Sequence, residues 1–135
     1  MLDLQELLEK FPTGYVPEIT ICGSYKFIGL MRQTETYFKE KGFIVNVPRK
    51  LDVPNGDTIS DYTAQSMHNR KIRESDAIVV VDKDGYIGES TGKEIEYATL
   101  LGKPVYYSFK PADYDVDKRY IGIETLVNDV LDGKL

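Results

Sequence analysis

Three features of this chain have residue types and spacing that could do chemistry. They are Glu94, the hydroxyl pair Ser90-Thr91, and the turn Gly23-Ser24-Tyr25-Lys26. Glu94 follows a glycine-rich turn, Gly88-Glu89-Ser90-Thr91-Gly92, which itself follows the apolar run Ala77-Ile-Val-Val-Val81. A carboxylate at such a place can attack an electrophilic carbon or stabilise a developing oxocarbenium ion. A position in the first helical turn would set it at the mouth of a crevice, and the helix N-terminus would hold it ionised at neutral pH. The plainer reading is an ordinary first-turn glutamate, favoured there by the helix dipole alone. Glu96, two positions on, should point elsewhere. In both turns small residues let a ligand approach the backbone, and free amides at a helix start are anion donors. Ser24, Ser90, Thr91 and Lys26 could therefore hold a phosphate, a ribose or both. Taken singly, each hydroxyl could equally cap its helix; the two turns together favour a ligand.

The elements that must position these groups follow from periodicity. An N-terminal helical pattern (Leu2, Leu4, Leu7, Leu8, Phe11) closes at Pro12 and Gly14 and should pack outside the domain. Glu18-Ile-Thr-Ile-Cys22 reads as the first buried strand, and Phe27 to Lys41 as a helix with Phe27, Leu30, Met31, Thr34, Tyr37 and Phe38 on one face. Phe43 to Val47 is the second strand, and Pro48 to Asp57 a long loop of the kind that serves as a lid or binding loop. A helix capped by Thr58 or Ser60 runs to about Arg73, with Ile59, Tyr62, Met67 and Ile72 inward. The third strand is Ala77–Val81, and the helix carrying Glu94 ends near Leu101. Val105 to Phe109 is the fourth strand. Lys110 to Lys118 is a polar connection before a last helix, about Tyr120 to Leu131, which buries Ile121, Leu126, Val127 and Val130. Strands alternating with helices predict a three-layer α/β/α sandwich, flavodoxin- or Rossmann-like, with a parallel sheet of four to five strands in the order 2-1-3-4. The switch point then lies between strands 1 and 3, where the two turns converge.

Bulk properties exclude several classes. A chain of 135 residues suits one domain, residues 1–135. A net charge of −5 argues against a nucleic-acid polymer or an anionic membrane as partner. No apolar run reaches membrane-spanning length and no signal peptide is visible, so the cytoplasm is the expected address. The single cysteine, Cys22, excludes an internal disulfide framework and reads as an inert buried thiol. Metal ligands are not grouped along the sequence, and no metal site is expected. With His68 the only histidine and no nucleophile elbow, a serine or cysteine triad is not indicated. Neither a Walker A loop nor a G-x-G-x-x-G fingerprint occurs.

Ile21-Cys-Gly-Ser24, Ser75-Asp-Ala-Ile-Val-Val80, and Glu94-Ile-Glu-Tyr-Ala98 followed by Leu101-Gly-Lys-Pro-Val105 occur in an order that resembles the nucleoside 2-deoxyribosyltransferase superfamily. That superfamily includes the deoxynucleoside monophosphate N-glycosidases. The spacing Gly88-x-x-Thr91-x-x-Glu94 is also similar to the nucleotide-binding turn of cytokinin-activating phosphoribohydrolases. The resemblance implies cleavage at C1 of a (deoxy)ribose bearing a base, with Glu94 at the place of the family nucleophile. It implies a phosphate or sugar site at Gly23, Ser24 and Ser90, with Lys26 a further candidate. Thr20 stands near the place of a family tyrosine that orients the glutamate. His68 stands near the place of a family aspartate, and Gly88 at that of a further acidic residue. His68 or Glu89 is then the candidate acid on the leaving base. Tyr25, Tyr86 and Tyr97 could stack on a base.

The expected activity is therefore cleavage or transfer at the N-glycosidic bond of a nucleoside or its 5′-monophosphate. No metal or organic cofactor is required. A homodimer or larger homo-oligomer is expected by resemblance. Two alternatives remain at this stage: a non-catalytic nucleotide-sensing module of the same fold, and a phosphoribohydrolase.

Overall fold

The computed structural model describes residues 5, 6, 9, 11, 14–48, 61–108 and 121–132. Five parallel strands form one sheet in the order β2-β1-β3-β4-β5: β1 Glu18–Gly23, β2 Ile44–Asn46, β3 Ala77–Val81, β4 Val105–Tyr107 and β5 Ile121–Gly122. The helices are α1 Ile28–Glu40, α2 Asp61–Glu74, α3 Glu89–Leu100 and α4 Ile123–Leu131.

The centre of the sheet forms where the sequence is apolar without interruption. All five residues of β3 are buried, because helices cover both faces and neither side of the strand meets water. One face carries Ile19, Ala77, Val79 and Tyr106 against Phe38 of α1 and Leu126 of α4. The other carries Cys22, Ile78, Val80 and Tyr107 against Ile72 of α2 and Ala98 of α3. Alternate residues of β1 and β3 thus serve opposite layers, and the expected α/β/α sandwich is the observed one. Phe11 is buried and meets Phe43 edge-on, with ring centroids 5.8 Å apart.

Several local expectations are corrected. Residues 121 and 122 form a fifth strand rather than the start of the last helix; Gly122 is the N-cap of α4, which begins at Ile123. On α2 the buried stripe is Ala64, His68 and Ile72, while Tyr62 (86% exposed) and Met67 face outward. That stripe keeps strict i, i+4 spacing and turns a histidine inward. β2 is shorter than expected, and α1 is preceded by a 3-10 turn, Tyr25–Phe27. Leu2, Leu4, Leu7, Leu8, Pro12, the loop from 49 to 57, Thr58, Ile59, Ser60, Phe109, the 110–118 connection and Tyr120 lie outside the described residues. Among the described residues, no helix is long and apolar enough to cross a membrane.

Gly23 ends β1 opposite Val81. A Cβ there would stand 3.2 Å from the Val81 carbonyl oxygen, 3.3 Å from Val81 Cβ and 3.2 Å from Met31 Sδ. Backbone cannot retreat as a side chain can. Gly23→Ala is therefore expected to destabilise by about 1–3 kcal/mol, read as a lower denaturant midpoint at unchanged slope. A midpoint equal to wild type would show that β1 and β3 part easily there.

Candidate functional site

The switch point falls between β1 and β3, and a cavity of about 310 Å³ opens beside it. That volume is at the low end for small-molecule sites. Its lining comes from four places. Gly23 ends β1 and Tyr25 opens the 3-10 turn after it, Pro48 follows β2, Ala64, Gln65 and His68 come from α2, and Ser90, Thr91 and Glu94 come from α3.

The start of α3 explains part of this. Gly88 is the N-cap and offers no side-chain cap, so the helix begins at Glu89. Ser90 and Thr91 are thus inside the helix and do not cap it. The amides of Glu89, Ser90 and Thr91 have no intrahelical acceptor, and the Gly92 amide already bonds the Gly88 carbonyl at 2.9 Å. Ser90, Thr91 and Glu94 share one face through i, i+3 and i+4 spacing. Glu94 sits in the second turn, not the first.

Glu94 is 7% exposed. Gln65 Nε2 donates to its Oε2 at 2.9 Å and to Asn69 Oδ1 at 3.0 Å. Both amide hydrogens are used, and a flipped Gln65 would oppose oxygen to oxygen. His68 Nε2 stands 3.6 Å from Glu94 Oε1 and 3.4 Å from Cys22 Sγ. Burial raises the Glu94 pKa, and the hydrogen bonds from Gln65 and Cys22 oppose that rise. The dipole therefore does not settle its ionisation as the sequence suggested; desolvation has the larger effect. Burial, with the nearby charge of Lys71, lowers the His68 pKa to about 4. The imidazole is neutral at pH 7, so His68 and Glu94 are not an ion pair there. Burial first, then the Glu94 carboxylate, pushes the Cys22 thiol up.

The donor atoms of Cys22, His68 and Glu94 lie within 4.8 Å of one another, and all three residues are buried. These three residues are not grouped along the sequence: 72 positions separate Cys22 from Glu94, and β1, α2 and α3 bring their donor atoms together.

The other candidate residues are distributed as follows. Glu89 is exposed and pairs with Lys93 at 3.4 Å, away from the cavity. Lys26 lies over the Tyr86 ring, its Nζ 3.1 Å from the centroid, and does not line the cavity. Ser24 Oγ accepts from the Lys26 amide at 3.4 Å, capping the 3-10 turn. Gly88 lies beside Tyr86, and a Cβ on Gly92 would meet nothing within 4 Å. Tyr86 also packs edge-on against Phe27, and Tyr97 Oη accepts from Arg73 Nη1 at 3.4 Å, so of the three tyrosines only Tyr25 lines the cavity. Thr20 Oγ1 lies 2.6 Å from Ser75 Oγ, which donates to the Lys71 carbonyl. Glu94 is oriented by Gln65 instead. Gln65, Ala64 and Pro48 were not singled out from the sequence. Gln65 and Ala64 precede His68 by three and four positions, so a site role for His68 would have pointed to both.

A parallel α/β/α sandwich with its cavity at the β1/β3 switch point is a Rossmann-like fold. No protein-family model matches the chain, and no curated protein matches it in sequence. Among solved structures it is similar to a 2-deoxyribosyltransferase from the psychrotolerant bacterium Bacillus psychrosaccharolyticus, with a TM-score of 0.57 and 17% identity over 87% of this chain and 90% of that one. At that identity the likeness is one of fold.

Removing the Gln65 donor should free the carboxylate and raise its pKa further. For Gln65→Leu, loss of a hydrogen bond to a charged group costs about 1.5–3 kcal/mol, read as a lower denaturant midpoint at neutral pH. The Glu94 titration, followed by carboxyl carbon NMR, should move to higher pH. An unmoved titration would mean that Gln65 serves packing only.

Proposed function

We propose that the cavity binds a nucleoside or its 5′-monophosphate and that Glu94 cleaves the N-glycosidic bond. The observation that carries this reading is a buried carboxylate at the cavity wall, held by a fixed donor and flanked by Ser90 and Thr91 at an uncapped helix start. The shared fold with a 2-deoxyribosyltransferase supports it.

In the proposed reaction Glu94 attacks C1 of the sugar while the bond to the base breaks. The electron pair leaves with the base, and a glycosyl ester forms on Glu94. Water at C1 then gives free sugar, and a second base gives a new nucleoside. Gln65 would keep the attacking carboxylate in one orientation, and the amides at the start of α3 would face the sugar or its phosphate. Glu89 faces solvent and His68 is neutral at pH 7. Neither of these two candidates is therefore a charged acid at the cavity, and the base would leave with help from a neutral N–H donor or from water. This favours substrates whose bases leave readily.

The test is free-base release, followed by chromatography, from a panel of nucleosides and 5′-monophosphates, with and without a second base. Release that needs the second base marks a transferase, and release without it a hydrolase. Binding detected by calorimetry with no release from any substrate would sink the catalytic reading and leave a nucleotide sensor.

A further inference from the structure

We propose that Cys22, His68 and Glu94 form a binding site for a thiophilic divalent cation of the zinc class, and that its occupancy takes Glu94 out of use. The donors arrive from the end of β1, the middle of α2 and the second turn of α3. Sγ lies 3.4 Å from Nε2, Nε2 lies 3.6 Å from Oε1, and the three atoms stand within 4.8 Å of one another. Tetrahedral zinc with bonds of about 2.3 Å to sulfur and about 2.0–2.2 Å to nitrogen and oxygen sets ligand separations of about 3.4–3.6 Å. The Sγ–Nε2 and Nε2–Oε1 separations fall in that range, and the third pair lies within 4.8 Å. A direct N–H···O bond would be shorter than the 3.6 Å between His68 and Glu94.

The chemistry of the donors selects the ion. A thiolate and an imidazole favour zinc over magnesium or calcium, which prefer all-oxygen sets. A cysteine–histidine–carboxylate relay is a poor alternative, because it needs the carboxylate and the thiol on different ring nitrogens. Here both approach Nε2. Gln65 already fixes Oε2 of Glu94, which leaves Oε1 for the ion. On binding, Cys22 gives up its proton to the buffer and a metal–sulfur bond forms. Three protein ligands leave a fourth position for water entering from the cavity that His68 and Glu94 line. The blocking effect rests on the role proposed above for Glu94; the binding does not.

The experiment uses the full chain, stripped with EDTA and dialysed, titrated with Co²⁺ and followed by absorbance. A thiolate–cobalt charge-transfer band in the near ultraviolet and tetrahedral bands in the visible are expected to saturate at one equivalent and to be displaced by Zn²⁺. Cys22→Ser should abolish the near-ultraviolet band, and His68→Gln should weaken Co²⁺ binding at least about tenfold. Circular dichroism establishes that each variant is folded; if Cys22→Ser is not, the His68→Gln titration decides. Folded wild type without the charge-transfer band, or a band that survives in Cys22→Ser, would overturn the proposal. Base release without the band would overturn it and leave the Glu94 reading standing. The band without base release from any substrate would uphold the metal site and sink that reading.

Discussion

Glu94→Gln is expected to lower base release by about a thousandfold or more while the protein stays folded. The amide has nearly the shape of the carboxylate but neither its charge nor its nucleophilicity, so the covalent step loses its attacking group. Because Gln65 donates to Oε2, the substituted amide can keep that contact by turning its oxygen toward Gln65. Burial of an uncharged side chain also avoids the desolvation that raises the Glu94 pKa. Stability should therefore hold or rise, while kcat falls and substrate affinity changes little. Rate measurements with wild type and variant side by side, alongside melting curves, check both halves. A fall of less than about tenfold would place the chemistry elsewhere in the cavity.

The second large effect is on stability against pH. His68 in the unfolded chain protonates near 6.5, but in the fold only near 4, because burial and Lys71 disfavour the charge. Between those values the unfolded state binds more protons, so stability falls as the pH falls. At pH 4.5 the loss from this residue is about 2.5 kcal/mol relative to pH 7, at 1.36 kcal/mol per pH unit. Glu94 acts in the opposite sense, since its folded pKa is raised and acidification through that range favours the fold. Comparison with His68→Gln isolates the histidine. With EDTA present, wild type should lose roughly 2–3 kcal/mol more than the variant between pH 7 and pH 4.5, read from denaturant midpoints. Parallel losses would mean that His68 is hydrated or already charged in the folded state.

Legibility in the sequence followed the physics of each element. β3 is buried on both faces and is written as an unbroken apolar run, so its bounds could be read directly. The alternation of strands and helices implies a parallel sheet, and the doubly wound class supplies the order 2-1-3-4, to whose edge β5 adds. β5 has two residues, too few for any periodicity to register, and its glycine doubles as a helix cap. The inward face of α2 misled because Tyr62 and Met67 carry apolar weight at the surface, while the wall of a polar cavity calls for Ala64 and His68. Ser90, Thr91 and Glu94 were visible as a turn followed by a helix, and they do line one cavity. The contacts around Glu94 were not visible in the same way. Gln65, His68 and Cys22 meet it only because two helices pack side by side over the end of β1, and no local pattern encodes that meeting. Lys26 shows the converse: a cation beside a glycine turn suggested phosphate, but its ammonium lies over the ring of Tyr86, five residues after β3 ends.

The central claim is that Glu94 forms a bond to C1 of the sugar. The most direct test is intact-mass analysis after incubation with a 2′-fluoro nucleoside, whose fluorine slows release of the sugar from the enzyme. The expected result is a mass increase of one fluorosugar, mapped by peptide digestion to Glu94. Base release without any adduct, or an adduct on another residue, would contradict the assignment.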